Sequence, residues 1–171
     1  MSMALFSKHQ LAVIQFMLRA KQPAPATPSI PDGKHRILGA RIMLEEVMET
    51  ILDGMAITLL NKHTREPIEF ADIEFQIQDG VRPNLVELID GCCDTRYVAT
   101  WVLCSWGIPD EQFQEEVDHN NILKFGPGHS WDDNGKLIKP PQHRPPQIEE
   151  ILTEMFVFSD EEKIAFGIPV V

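Results

Sequence analysis

Cysteine and positive charge are scarce in this sequence, and no apolar run is long enough to span a bilayer. The three cysteines, Cys92, Cys93 and Cys104, are too few and too irregularly spaced for a disulfide framework or a zinc site. We expect them to be buried free thiols in a reducing compartment. The first eight residues also lack the basic-then-apolar pattern of a secretory signal. These absences predict a soluble, cytoplasmic protein with no membrane as its partner.

Acidic residues outnumber basic ones, with 26 Asp and Glu against 15 Lys and Arg and a formal net charge of -11. This balance argues against nucleic acid or an anionic membrane surface as a partner, since no basic patch offsets it. The 171 residues, of which 43% are hydrophobic, suffice for a globular domain with its own core. We therefore expect one domain over residues 1–171.

Hydrophobic periodicity predicts a mostly helical, all-α chain. Four prolines make residues 22–31 an extended connector, and residues 121–146 form a long loop rich in Gly, Pro, Lys and His. Ile73, Phe75 and Ile77 alternate with polar residues, which predicts a small β-hairpin between about residues 57 and 78. The expected helices cover about residues 7–20, 33–56, 84–106, 110–120 and 147–158.

Carboxylates stand one helical turn apart in the second and third of these helices. The second carries Glu45, Glu46 and Glu49 as an EExxE motif, and the third carries Glu87 and Asp90 as an ExxD motif. Residues three and four apart are neighbours on a helix, so each motif can converge on one point. An EExxE motif by itself is typical of an ordinary exposed helix, and the second motif is what makes the first informative.

The acids of the third helix lie on an apolar stripe. Asp94 continues the stripe of Glu87 and Asp90, and Val98 and Trp101 extend it further. Acids on a packing surface are unusual for merely solvated charge. Five carboxylates between two packed helices would repel one another unless cations neutralised them. The pattern therefore favours hard divalent cations, of which Mg²⁺ is the usual one where phosphates are handled.

These motifs and three further segments resemble the MazG-like branch of the all-α nucleoside triphosphate pyrophosphohydrolases. The family's EExxE and ExxD motifs match Glu45, Glu46, Glu49, Glu87 and Asp90. Its terminal Asn-x-x-Lys segment is similar to Asn121–Lys124, and its DGK-x-x-KP loop, found in phage and bacterial members, is similar to residues 133–140. Residues 16–31 resemble its N-terminal helix and connector. The likeness covers about residues 8–150, with a longer stretch than usual between the two acidic motifs.

The resemblance implies an antiparallel four-helix bundle with a small β-hairpin insertion and a long C-terminal loop, assembled as a dimer or tetramer. It implies Mg²⁺-dependent cleavage of a nucleoside triphosphate between the α- and β-phosphates, which gives the monophosphate and pyrophosphate. Two or three Mg²⁺ ions per site are expected, with Mn²⁺ able to substitute. The phage-like loop favours a viral or host-associated source, hence the host cytoplasm, and dGTP becoming dGMP is the first candidate reaction.

The resemblance also implies roles for single residues. The metal ligands would be Glu45, Glu46, Glu49, Glu87 and Asp90. Glu45 and Glu46 both stay open as the residue that activates water, although Glu45 lies at the edge of the apolar stripe and Glu46 points further away. Lys124 and Lys139 are the best candidates for holding the outgoing phosphates as point charges, and for each of them an ordinary surface lysine is the plain alternative. Candidate contacts to the phosphate, sugar or base are Asn121, Asp94 and Tyr97, for which a helix cap, a satisfied polar group and core packing are the plain alternatives.

Two other interpretations stay open. The chain could be another enzyme of the same superfamily, such as a dUTP or a phosphoribosyl-ATP pyrophosphohydrolase, because the acidic motifs are common to all of them. It could also be a non-catalytic, acidic helical module that binds metal or a partner. A binding module needs no lysine on the far side of the carboxylates, so Lys124 and Lys139 favour catalysis.

Overall fold

A computed structural model describes residues 6–133 and 136–170. The all-α prediction is confirmed, because most of the regular structure is helical and the strands are two residues long. The described helices are α1 (Lys8–Arg19), α2 (Gly33–Glu49), α3 (Leu85–Ser105), α4 (Glu111–Leu123), α5 (Ile148–Met155) and α6 (Asp160–Ala165). The strands are β1 (Ser130–Trp131) and β2 (Leu137–Ile138). None of the helices in the described ranges has the length and hydrophobicity needed to cross a membrane.

The chain forms two compact units. The first unit contains residues 6–26, 84–132 and 137–170, and the second contains residues 27–83 together with 133 and 136. The EExxE motif lies on α2 in the second unit, whereas the ExxD motif lies on α3 in the first. A single domain and an antiparallel four-helix bundle stay predictions.

In the first unit, α1 packs against α4. The ring nitrogen Nδ1 of His9 lies 2.9 Å from each carboxylate oxygen of Asp118, and the rings of Phe16 and Phe125 meet edge to face at 5.0 Å. A capping box at Ser7 satisfies the free amides at the start of α1. These polar and aromatic contacts fix the C-terminal half of α4, from which the 121–146 loop departs.

In the second unit, Asp32 caps α2 by accepting a hydrogen bond from the amide of His35, and Met48 is buried. We expected this helix to continue to about residue 56, but its regular part ends at Glu49. A π-helical turn, Thr50–Gly54, follows directly, and the Thr50 hydroxyl donates to the carbonyl of Glu46. Such a turn is common beside functional residues, and here it comes directly after the EExxE motif.

The predicted β-hairpin exists, but it is formed by a different segment. β1 pairs antiparallel with β2 inside the 121–146 loop, whereas residues 57–78 contain one isolated bridge, Leu60 to Pro67, and a 3₁₀ turn, Phe70–Asp72. The alternation over Ile73, Phe75 and Ile77 is real, since these side chains are half-buried and those between them are exposed. Such alternation indicates an extended segment with one packed face, but it does not show whether that face packs on a strand or on a helix. In this structure the segment packs on α2.

α3 is long and apolar, yet none of its 21 residues is buried. Large hydrophobic side chains stand in solvent along its whole length, among them Val86, Leu88, Ile89, Trp101 and Trp106. All three cysteines lie on this helix and are free and exposed, so the prediction of buried thiols is wrong for the single chain. Their burial would require a surface that covers α3.

Candidate functional site

The acids of α2 differ in exposure and in their partners. Glu45 is half-buried, whereas Glu46 and Glu49 are exposed. Glu45 and Glu49 lie one turn apart and therefore share a face of the helix. A carboxylate oxygen of Glu45 lies 2.7 Å from the ammonium nitrogen of Lys136, which belongs to the loop similar to DGK-x-x-KP. An acid expected to bind a metal thus already holds a cation.

The donor set of α2 suits a hard divalent ion. Its three carboxylates supply only oxygen ligands, which Mg²⁺ prefers, and they include neither histidine nor cysteine. The ammonium group of Lys136 beside Glu45 shows that this face attracts positive charge. Among the described residues of either unit, no three His, Cys, Asp or Glu side chains are gathered closely enough to form a metal cage. The acids of α2 thus offer the type of ligand atom that Mg²⁺ prefers, although the described residues do not gather them into a cage.

The acids of α3 lie in the first unit, all on the exposed surface of that helix. Glu87 and Asp90 are exposed, and so are Asp94 and Tyr97. The side chain of Asn84 caps the helix by accepting from the amide of Val86 at 3.0 Å, which leaves Glu87 in the first turn. Tyr97 keeps 73% of its surface exposed, so core packing within the chain is not its role.

The two predicted phosphate-binding lysines both act electrostatically on one histidine. Burial, and then the charges of Lys124 and Lys139, hold the pKa of His143 below its usual value of 6.5. Lys124 lies at the C-terminus of α4, and Lys139 follows β2, so their expected shared role rested on the family resemblance rather than on their separation in sequence. The structure thus relates both lysines to a third nitrogenous group, His143, that the sequence did not assign.

Asn120 fixes the position of His143. It is the buried polar residue of the described chain, with 5% of its surface exposed. Its amide nitrogen donates to the carbonyl of Arg144 at 3.0 Å, so its oxygen is free to accept from Nε2 of His143, also at 3.0 Å. Both amide functions are therefore satisfied by the segment after β2. We call Lys124, Lys139 and His143 the basic cluster. The contact with buried Asn120 positions its histidine.

The loop that carries the basic cluster is held at both ends. The side chain of Gln142 donates to the carbonyl of Pro127 at 2.7 Å, and β1 pairs with β2 between them. Gly128 has φ +90°, a conformation that other residues rarely adopt. His129 stands between the rings of Phe125 and Trp131, edge to face with each. These contacts anchor the described part of the loop on both sides of β1 and β2.

Sequence reasoning missed Asn120, Lys136 and His143. Asn121 was preferred because it matches the Asn-x-x-Lys segment; the structure leaves Asn121 half-buried and places Asn120 inward. Lys136 could have been found as the first lysine of the DGK-x-x-KP pattern. His143 gave no signal, because its role depends on two lysines that are distant from each other in sequence.

Comparison with known proteins shows that a solved structure has a similar fold. No protein-family model matches the sequence, and no curated protein sequence matches it. The structure is similar to the crystal structure of a putative NTP pyrophosphohydrolase from Exiguobacterium sp. 255-15, with 18% identity and a TM-score of 0.58. The match covers 87% of this chain and 96% of that one. The two proteins share a fold.

Proposed function

We propose that this protein is a nucleoside triphosphate pyrophosphohydrolase. Water would add across the bond between the α- and β-phosphates, giving a nucleoside monophosphate and pyrophosphate. The observation that carries the proposal is the fold shared with the Exiguobacterium protein, whose description names this activity. The two acidic motifs that resemble the family's lie on α2 and α3 of that fold.

The proposed metal ligands are Glu45, Glu46, Glu49, Glu87 and Asp90, for two or three Mg²⁺ ions that Mn²⁺ can replace. When bound, these ions would neutralise phosphate charge and lower the pKa of a bound water. Support comes from the oxygen-only donors of α2 and from the cation that Glu45 already holds. Either Glu45 or Glu46 would accept the proton of the attacking water. Glu46 is the more accessible of the two, because it is exposed and Glu45 is paired.

The basic cluster is proposed to bind the departing pyrophosphate. Lys124 and Lys139 both lower the pKa of His143, which supports assigning the two lysines to one bound polyphosphate. Phosphoryl transfer depends mainly on positioning and charge stabilisation, which two point charges on an anchored loop would provide. Asn121 is proposed to contact the phosphate or ribose, and Asp94 and Tyr97 the sugar or base. The exposure of Asp94 and Tyr97 leaves them accessible to a ligand.

The proposed substrates are deoxynucleoside triphosphates, with dGTP as the first candidate, in a phage nucleotide pathway. The proposed location is the cytoplasm, which would be the host's for a viral protein. Three free, exposed thiols support a reducing compartment, where they would not be oxidised to disulfides.

We also propose that the protein works as a homo-oligomer, a dimer or a tetramer. A monomer rarely exposes a row of large apolar side chains such as that on α3, and a second copy would remove it from water. The exposed acids Glu87 and Asp90 belong to the same helix. Assembly through α3 would therefore place these acids at or beside the interface between subunits.

A substrate panel tests the function and ranks its variants. The purified protein is incubated with Mg²⁺ and each dNTP, each ribonucleotide, dUTP or phosphoribosyl-ATP, and the products are separated by chromatography. Monophosphate and pyrophosphate, most rapidly from dGTP, are expected. Preference for dUTP or phosphoribosyl-ATP would assign the chain to the other enzymes of the superfamily. No turnover of any nucleotide by the folded protein would contradict the proposal and favour a non-catalytic, metal- or partner-binding module.

A further inference from the structure

An open cavity of about 530 Å³ lies in the second unit, against the N-terminal half of α2. This volume is typical of sites for small ligands. One wall is α2, and the other is the 3₁₀ turn Phe70–Asp72 with the extended residues after it. The lining residues are Ile37, Arg41, Ala71, Asp72, Ile73, Glu74 and Phe75. The cavity is thus built by α2 and by the stretch that is longer than usual between the acidic motifs.

Arg41 is held in this cavity by aromatic rings rather than by a carboxylate. Its guanidinium carbon lies 5.2 Å from the ring centroid of Phe70 and 5.8 Å from that of Phe75. Cation–π contacts of this kind orient a guanidinium through its flat face and leave its N–H edge free. No side chain in the described part of the chain forms an ion pair with Arg41. The edge of the guanidinium is therefore available to a ligand.

Two carboxylates line the same cavity without pairing with Arg41. Asp72 and Glu74 are exposed, and neither lies within ion-pair distance of a described basic side chain. Ile37, Ile73 and Phe75 add half-buried apolar surface. The lining of the cavity therefore includes N–H donors, carboxylate acceptors and apolar side chains on which a flat ring can lie.

We propose that this cavity binds the base of the nucleotide and that its chemistry suits guanine best. Arginine pairs with two adjacent acceptors, and guanine presents O6 and N7 side by side. The neighbouring edge of guanine carries N1–H and the amino group. The two oxygens of one carboxylate, that of Asp72 or Glu74, can accept hydrogen bonds from both of these donors. Adenine would turn an amino donor towards the guanidinium and an acceptor towards the carboxylate. The site therefore favours guanine over adenine and cytosine, with thymine or uracil in between.

The position of the cavity on α2 connects it to the acidic motif. Arg41 and Glu45 are one turn apart, and Glu49 is one turn further, so the carboxylates lie roughly 6 and 12 Å from Arg41 along the helix axis. A nucleotide with its base at Arg41 can extend its sugar and phosphates along α2 towards Glu45 and Glu49. This inference rests on the proposed function for the phosphates, although base binding itself does not require catalysis.

Binding of nucleosides without phosphate or metal tests the inference. The full chain is titrated with deoxyguanosine, deoxyadenosine, deoxycytidine and thymidine, and chemical shifts are followed by NMR. Arg41→Lys keeps the positive charge over the rings but loses the paired donors, and Arg82→Ala removes an exposed arginine of the same unit as a control. We expect deoxyguanosine to bind most tightly and Arg41→Lys to weaken it by about 10- to 100-fold. The Arg82→Ala variant should bind as the unchanged protein does.

The double variant Asp72→Asn with Glu74→Gln tests the other side of the cavity. It should bind deoxyguanosine more weakly and lose most of the preference over deoxyadenosine, with unchanged circular dichroism. If the unchanged protein binds no nucleoside, or if Arg41→Lys binds deoxyguanosine normally, the inference is wrong even where triphosphates are hydrolysed. If deoxyguanosine binding depends on Arg41 but no triphosphate is hydrolysed, the cavity assignment holds and the proposed function fails.

Discussion

The ammonium group of Lys136 lies 2.7 Å from a carboxylate oxygen of Glu45, the first acid of the EExxE motif. Both residues belong to the second unit, so this contact joins Lys136 to α2 within that unit. The carboxylate of Glu45 thus already pairs with Lys136, and the proposed metal ion would be a second cationic partner. If Glu45 is a metal ligand, as proposed, binding of the metal would compete with this ion pair.

Replacing Lys136 by alanine should strengthen metal binding in the absence of nucleotide. The side chains of Lys136 and Glu45 are 42% and 24% exposed, and such pairs contribute at most about 1 kcal/mol. We therefore expect about a two- to fivefold lower Kd for Mn²⁺, measured by electron paramagnetic resonance. Lys62→Ala, a change at another exposed lysine of the same unit, serves as the control. An unchanged or weaker affinity would mean that Glu45 is not a metal ligand.

Pyrophosphate should raise the pKa of His143. The charges of Lys124 and Lys139 help to lower this pKa, and an anion bound between them would offset their effect. The titration of the imidazole can be followed by proton NMR, with His143→Gln used to assign its signal. Lys139→Ala should raise the pKa without pyrophosphate and reduce the further rise on its addition. A pKa that pyrophosphate does not move would place phosphate binding elsewhere.

The lowered pKa of His143 should also make folding stability depend on pH. Its pKa lies below 6.5 in the folded protein and returns to about 6.5 on unfolding, so the unfolded chain binds more protons between these values. The stabilisation is complete above about pH 6.5 and is lost as the pH falls through the pKa of the folded state. Urea unfolding at a series of pH values should show this loss, and His143→Gln should remove it. Equal pH dependence in both proteins would contradict the assignment.

The exposed face of α3 should control the oligomeric state. Trp101 is 61% exposed in the single chain, and a glutamate there would place a charge in any interface that covers the helix. We expect the unchanged protein to elute as a dimer or tetramer and Trp101→Glu to shift towards one chain, as measured by light scattering after gel filtration. Val157→Glu introduces the same charge at a fully exposed position between α5 and α6. Identical masses for the unchanged protein and Trp101→Glu would exclude α3 as the interface.

Local sequence signals predicted the main helices well. Ser7, Asp32 and Asn84 cap α1, α2 and α3 in the structure, and such caps can be read directly from sequence. α6 was missed, although Ser159 and Glu162 form a capping box in front of it. Its short length and the neighbouring aromatic residues hide its periodicity. The hairpin was assigned to the wrong segment because alternation does not identify the partner of an extended chain.

The candidate site was only partly predictable, for a physical reason. Acids spaced at one helical turn can be placed on one face of α2 or α3 from sequence, because helix geometry is fixed. The shared effect of Lys124 and Lys139 on His143, and the pairing of Lys136 with Glu45, depend on how a long loop folds. Loop geometry follows from contacts such as Asn120 to Arg144, which no local pattern encodes.

The acids of α2 are proposed to support hydrolysis of the bond between the α- and β-phosphates. The most direct test of this proposal is to follow dGTP with Mg²⁺ by phosphorus NMR, using the unchanged protein, Glu49→Gln and, as a matched control, Glu154→Gln on α5. We predict dGMP and pyrophosphate from the unchanged protein and Glu154→Gln, and a loss of at least about 100-fold with folded Glu49→Gln, typical of removing a charge-stabilising group. Release of dGDP and phosphate, or full activity in Glu49→Gln, would contradict the account.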